Sequence, residues 1–438
     1  MMIQGWRLLF ASLLLFILSL HVSAETAESS LLSTTLISSE SIKHPQSSLS
    51  SDKAQFSEQY FNGLNDAVLF YEGLQQSGLW QSIETGPLLK RGEFHQQIAT
   101  LRNQLVLLGD LSPLAISPLF SRQFDAELEV ALKHFQARHS LKADGVLGAQ
   151  TRNALNVPPW QRIDQLVLNI HRQRQLSVSA TETYVHVNLP EYRLRVYTQG
   201  DVVLEMKAII GKRKRQTPVF SATVRQVVIN PSWNVPKSIA FKDIIPRWQQ
   251  DEGYLEKHNL QVLAGWTTPR TFVQDNDVDF NRLYQGESYQ RFWEPPGENN
   301  TLGRVKFPLT SKNSIYLHDT SARHLFDVEK RAFSSGCIRL EKPRVLADML
   351  LELSNQWRPE LLDTLFERQE TKRVRLETPI PVHITYWTAW LNQQGELNFS
   401  NDPYQRDAED FVQLQDFQQQ EQNQQVKLIP VQVGLQAN

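Results

Sequence analysis

The chain has one cysteine, Cys337, in 438 residues. A single sulfur excludes an intrachain disulfide framework and any multi-cysteine zinc or iron–sulfur site. What remains is a nucleophile or a buried structural thiol. The stretch around it, Ile315 to Leu340, reads IYLHDTSARHLFDVEKRAFSSGCIRL. A free thiol with a pKa of about 8.5 is only a few percent thiolate at neutral pH, so a nucleophile needs a base or a positive field. His318 stands 19 residues before the cysteine and is the nearest candidate base in sequence order. Asp319 follows it, placed to orient the ring through its backbone carbonyl. Lys330, Arg331 and Arg339 supply positive charge. The small residues Ser334-Ser335-Gly336 let backbone N–H groups around Gly336 and Cys337 approach a ligand as an oxyanion hole. Each piece alone has a plainer reading: a lone strand histidine is more often a structural hydrogen-bonder, and a glycine before a cysteine is usually a turn. The 11 histidines offer no His-x-x-Glu-His, His-Glu-x-x-His or paired short spacing, so no metal site is expected.

These groups need strands to hold them. Ile315 and Leu317 alternate with Tyr316 and His318, so a strand puts Tyr316 and His318 on one face and the apolar pair on the other. The same period of two begins at Tyr184 and recurs over 185–189, 193–197, 202–206 and 224–229, with turn points at Gly200-Asp201 and Gly211. A β-sheet domain is therefore expected over 184–375, interrupted by a helical, charged insertion over about 237–290. Pro381 to Leu391 reads as a final strand-like segment within a C-terminal region, 376–438. There Gln413 to Gln425 holds eight glutamines in thirteen residues, a solvated tail or a surface helix. Lys207 with Lys212 to Arg215 puts five positive charges in nine positions, most simply a solvated hairpin tip. Trp387 and Trp390 read as core.

The N-terminal half has a helical period. Phe61, Leu64, Val68, Leu69 and Tyr71 to Leu74 make one stripe, and Ile98, Leu101, Leu105 and Leu108 another, giving a helical scaffold region over 55–96 that leads into a second helical block, 97–157. A connector, 158–183, follows Pro158-Pro159. Ahead of all this, Met1 to Ala24 has Arg7, an apolar run from Leu8 to Leu20 and a Val22-Ser23-Ala24 cleavage pattern, the layout of a secretory signal peptide. The alternative is an uncleaved anchor, for which the run is short. Thr26 to Ser51 has 13 Ser or Thr in 26 residues, a flexible tether over 25–54. No later run is long enough to span a membrane after signal cleavage. An exported chain with a lone thiol is unusual, because an oxidising compartment exposes that thiol to mixed disulfides. The net charge of −2, with 41% hydrophobic and 21% charged residues, fits globular domains and gives no basic excess for nucleic acid.

Two resemblances add to this reading. Ala131-Leu132-Lys133-x-Phe135-Gln136, then Leu141-x-x-Asp144-Gly145-x-x-Gly148-x-x-Thr151-x-x-Ala154-Leu155, resembles a small three-helix peptidoglycan-binding domain over 97–157. His139-Ser140 departs from it where a glycine usually precedes the leucine. His318, then Ser334-x-Gly336-Cys337-x-Arg339, resembles the L,D-transpeptidase catalytic motif of the YkuD type. Val187-Asn188-Leu189-Pro190, Ile210-Gly211-Lys212, Thr217-Pro218, Asn230-Pro231-x-Trp233 and Leu302-Gly303-x-Val305-Lys306-Phe307 resemble its long, periplasmic YcbB-type branch. Many relatives have a histidine at the position of Ser335 and an asparagine at that of Arg339, so the roles of that histidine and that asparagine do not carry over.

The resemblance implies an α+β multidomain chain with a mostly-β catalytic domain and a helical insertion acting as a lid over the site. It implies Cys337 as nucleophile, His318 as proton donor and acceptor, Asp319 as backbone orienter and Gly336 as oxyanion backbone. Tyr316, Ser335 and Arg339 are expected to contact substrate. It further implies 3→3 peptidoglycan cross-linking through a cysteinyl acyl-enzyme, acylation by carbapenems, no cofactor, a periplasmic location in a Gram-negative cell, and stem peptides and other cell-wall synthases as partners. An L,D-carboxypeptidase that hydrolyses the same acyl-enzyme, or a non-catalytic wall-binding scaffold, stays open.

Overall fold

The computed structural model describes residues 57–428 apart from 116–120, 177, 179–181, 267–268, 286–289 and 354–358, and leaves undescribed the side chains of 115, 276, 359 and 421–428. The expected signal peptide and tether lie outside these residues. Among the described residues no helix is long and apolar enough to cross a membrane.

The N-terminal half is helical, as its period implies. Ser57 caps the helix Glu58–Ser77 by accepting from Tyr60 N–H, and Gly78 ends it in the left-handed region. Phe61, Leu64, Tyr71 and Leu74 are buried from it, whereas Leu69 is exposed. Asp125 caps Ala126–Arg138, whose Leu128, Ala131, Leu132 and Phe135 face inward. Helices Gln97–Leu107, Ala149–Leu155 and Pro159–Arg174 complete the region. Ser140, at the position where a glycine is usual, has φ of 55° and takes the left-handed conformation itself, its hydroxyl donating to Phe399 O.

The C-terminal half is built on strands β1 (Tyr184–Asn188), β2 (Arg193–Thr198), β3 (Asp201–Gly211), β4 (Phe220–Ile229), β5 (Trp233–Asn234), β6 (Gln261–Leu263), β7 (Phe272–Val273), β8 (Arg291–Glu294), β9 (Val305–Pro308), β10 (Tyr316–His318), β11 (Ala332–Ser334), β12 (Ile338–Leu340), β13 (Lys372–Thr385), β14 (Ala389–Leu391) and β15 (Leu397–Phe399). Nine form one sheet in the order β11-β3-β12-β10-β9-β4-β13-β1-β2, and a further pairing of β2 with β3 closes it on itself. Its inner residues, among them Val185, Ala208, Ile210, Val227, Ile229, Phe307, Leu317 and Ile338, form one apolar core with Leu346 and Leu350 of the helix Pro343–Glu352.

Two expectations change. The insertion is not simply helical. Strands β5, β8, β6 and β7 make a four-stranded sheet at its root, and with Ile244, Ile245, Trp248 and Leu255 they enclose a separate core. Strands of two to four residues are too short to leave a period. The expected boundary at 375 falls inside β13, which pairs with both β4 and β1 in the main sheet. The glutamine-rich segment lies in the helix Asp407–Leu428.

The helical half does not stand apart. Hairpin β14–β15 puts Ala389, Leu391, Leu397 and Phe399 into the core of the helices. Trp387 and Trp390 are buried, Trp387 packing on His186 at 4.5 Å. His134 bridges Asp110 at 2.7 Å and Glu396 at 2.6 Å, and hydrogen bonds to those two carboxylates raise its pKa to about 9. A charged imidazole therefore joins the 97–157 block to the hairpin near neutral pH.

Candidate active site

Register decides which side chains meet. Leu317 pairs with Ile338 and His318 with Arg339 across parallel strands β10 and β12, while His318 lies opposite Lys306 of antiparallel β9. Leu317, Ile338 and Phe307 face the core. Alternation therefore puts Tyr316, His318, Arg339 and Lys306 on the other face. Cys337 precedes Ile338, so it falls on that face beside Tyr316. Three strands bring together residues spread over 306–339.

The loop that presents the sulfur is held from below. Gly336 has φ of 121°, a conformation that side chains rarely adopt. Its N–H donates to Ser334 Oγ at 3.1 Å, and the Ser334 hydroxyl donates to Cys337 O at 2.5 Å, closing a small ring across the turn. Thr217, fully buried, donates to Gly336 O at 2.7 Å and accepts from Gly211 N–H at 2.9 Å. The Tyr404 hydroxyl accepts from Thr217 N–H and donates to Gly211 O. In this arrangement the Gly336 N–H is already spoken for by Ser334. An oxyanion bound there would have to displace that hydroxyl.

Ser335 is exposed, and its hydroxyl accepts from Arg215 Nη1 at 2.9 Å. Arg215 also forms an ion pair with Asp243 of the insertion. The basic run is thus not only a solvated tip: one of its charges ties the cysteine loop to the insertion, and Lys207 lies 3.7 Å from Glu341.

Charge around the sulfur is positive. Burial pushes the Cys337 thiol up, while the backbone and hydroxyl of Tyr316 and then the charges of Lys306 and Arg339 act the other way. Tyr316 is the neighbour whose backbone and hydroxyl act on the sulfur. His318 is almost wholly buried, and burial first, then Arg339, lowers its pKa to about 3. The resting pair is a neutral thiol and a neutral imidazole, and only a neutral imidazole can accept a proton.

The His318 ring lies 5.4 Å from the Tyr316 ring, and among the described residues no hydrogen bond joins it to Cys337. The backbone of Asp319, with that of Leu302, lies at hydrogen-bonding reach of the ring and favours its charged form. Nδ1 has no partner of ordinary geometry, so these contacts are weak. The Asp319 carboxylate works elsewhere, accepting from Arg304 N–H at 2.8 Å and Arg323 Nη1 at 3.1 Å. A Cβ on Gly303 would stand 2.4 Å from that carboxylate, so this close turn needs glycine. The insertion reaches the site too, because its core packs against Tyr316.

Of the residues singled out from sequence, Cys337, Tyr316, His318 and Arg339 share one face, while Ser335 points to Arg215 at the rim. Lys306 was missed as a site residue. Its Nζ lies 3.7 Å over the Tyr316 ring and its charge reaches Cys337. Strict alternation in Val305-Lys306-Phe307, one cation between two core positions, was the available signal. Thr217, Ser334 and Tyr404 were missed as supports, and Tyr404 left no local signal.

Residues 182–382 match the YkuD family, described as the L,D-transpeptidase catalytic domain, and residues 94–155 match a family described as "Putative peptidoglycan binding domain". A Haemophilus influenzae protein named "Putative L,D-transpeptidase" is 32% identical over 231 residues, 53% of this chain and 46% of that relative. The chain thus matches about half the length of that relative. Solved L,D-transpeptidases from Xylanimonas cellulosilytica and Stackebrandtia nassauensis are each 13% identical and cover 69% of this chain, with 98% and 95% of their own lengths and TM-scores of 0.22 and 0.24. At such scores these two likenesses carry no argument. The family match over 182–382 takes in the strands that bear Cys337 and His318, so this part of the chain is similar to the L,D-transpeptidase catalytic domains of the YkuD family, and a match to a peptidoglycan-binding family lies ahead of it.

Proposed function

We propose that this protein is an L,D-transpeptidase that forms 3→3 cross-links in peptidoglycan through an acyl-enzyme on Cys337. The observation that carries the reading is the placement of Cys337 beside Tyr316, with His318 and Arg339 on the same face, within a region that matches that family. His318 takes the thiol proton, and the thiolate attacks the carbonyl of the third residue of a tetrapeptide stem. The proton then passes to the departing amine, releasing D-alanine and leaving a thioester. The amine of a second stem attacks the thioester, forms the new amide and returns the thiol. No cofactor enters these steps. Arg339 and Lys306 favour the thiolate once it forms.

Water competes with the acceptor amine, so the site needs cover. The insertion, packed on Tyr316 and tied by Arg215 to Asp243, is the lid in this reading. Its length supports the YcbB-type branch. Export to the periplasm, carbapenem acylation of Cys337 and donor stems supplied by other cell-wall synthases belong to the same proposal.

Incubation with tetrapeptide-bearing muropeptides tests it. Cross-linked dimers with released D-alanine, and a covalent adduct on Cys337 by intact mass, are expected. Tripeptide monomers without dimers would reassign the protein as an L,D-carboxypeptidase. Absence of both products and adduct would leave a wall-binding scaffold.

A further inference from the structure

The face that bears Cys337 continues past Tyr316 into a cavity of about 360 Å3 over β4, β9 and β13. Lys306, Arg373, Tyr316, Gln226, Ser232 and Asn234 are among its walls, and none of its lining residues is acidic. Lys306 is half-buried, its Nζ against the Tyr316 ring at 3.7 Å, and it has the Arg373 charge as a neighbour. Two cations in one cavity repel each other, and burying an ammonium without a counter-ion is costly. An arriving carboxylate relieves both effects and gains charge-assisted hydrogen bonds. Tyr316, which lines the opening, is the residue set beside the nucleophile on the same face.

We infer that this cavity is a carboxylate subsite for the stem peptide, with Lys306 and Arg373 as its ligands. The inference rests on the transpeptidase reading and adds to it how the donor is chosen. A tetrapeptide stem offers two such groups near the scissile bond: the terminal carboxylate of the leaving D-alanine and the side-chain carboxylate of the third residue. The competing role for Lys306 is to stabilise the thiolate, since its charge acts on Cys337.

Three donors separate these roles: the free tetrapeptide, its terminal amide, and the form amidated on the third side chain. Acyl-enzyme formation by the full chain is followed by intact mass, and thiol reactivity by alkylation with neutral iodoacetamide across pH. One amide is expected to need about tenfold to a hundredfold more donor for half-saturation, and which one it is names the carboxylate bound. Lys306→Met and Arg373→Gln should impose a similar loss on the free donor and add little to the loss already shown by that amide; Arg373→Gln should leave alkylation within about twofold, and Lys306→Met should slow alkylation by far less than it slows acylation. Arg373 is exposed, so Arg373→Gln gives the answer even where Lys306→Met fails to fold. The subsite is overturned if both amides acylate the enzyme as readily as the free donor, or if Lys306→Met slows alkylation as much as acylation. Wild-type enzyme that forms no acyl-enzyme with any donor instead overturns the transpeptidase reading, and this subsite with it.

Discussion

The two faces of the β9–β10–β12 ladder are made from alternate residues of the same three strands, yet they are built on opposite terms. Inward, Phe307, Leu317 and Ile338 are fully buried among apolar neighbours, and every contact there favours folding. Outward, Lys306, His318 and Arg339 carry proton affinities lowered by burial, and Cys337 sits among them with its own raised. One face supplies stability and the other draws on it. A strand period of two lets a single short element do both, with the polar face held rigid by the apolar one.

Substitutions on each face should separate the two accounts. Cys337→Ala is expected to abolish adduct formation and lower cross-linking by at least about a thousandfold while leaving the denaturation midpoint nearly unchanged. A large loss of stability would show that the thiol serves the core. Phe307→Ala, two strands away and facing inward, should cost about 3–5 kcal/mol in urea unfolding. If it altered donor affinity instead, the division between faces would fail.

His318 gives a pH test. Its pKa in the folded protein, about 3, lies below the ordinary 6.5. As pH falls through 6.5 the unfolded chain takes up a proton that the folded chain refuses, so stability declines between pH 6.5 and about 3 and is unaffected above. His318→Asn should remove this decline, worth about 2 kcal/mol at pH 5. Equal acid sensitivity of the variant and the wild type would place the ring in a more polar setting. Thr217→Val strands the Gly211 N–H and the Gly336 carbonyl, with an expected cost of about 1–2 kcal/mol and slower acylation at unchanged thiol alkylation. Unchanged acylation would mean that the cysteine loop keeps its shape without this support.

The inward face was legible because alternation is a local pattern, and Cys337 because it is the chain's one sulfur. What sequence reading lost had physical causes. Lys306 meets Tyr316 only through pairing of β9 with β10. The expected boundary at 375 cuts a strand, because β13 runs on through Pro379 and Pro381 with a register shift between Arg375 and Ile380. The hydrogen bond from the Gly336 amide to Ser334 depends on side-chain rotation rather than on residue order. Asp319 was expected to act through its backbone, and its carboxylate, bound to Arg304, shows why the side chain was never the useful part.

The clasp between the helix Glu58–Ser77 and the hairpin β14–β15 bears on how the molecule comes to be. The Tyr60 hydroxyl accepts from Leu391 N–H across 331 positions, and Tyr404 reaches back to brace Gly211. Contacts so distant along the chain form late, since closing large loops slows folding. The brace under the cysteine loop cannot assemble until the residues around 404 have been made and have docked. A chain that ends short of these residues therefore carries the thiol without the Tyr404 brace.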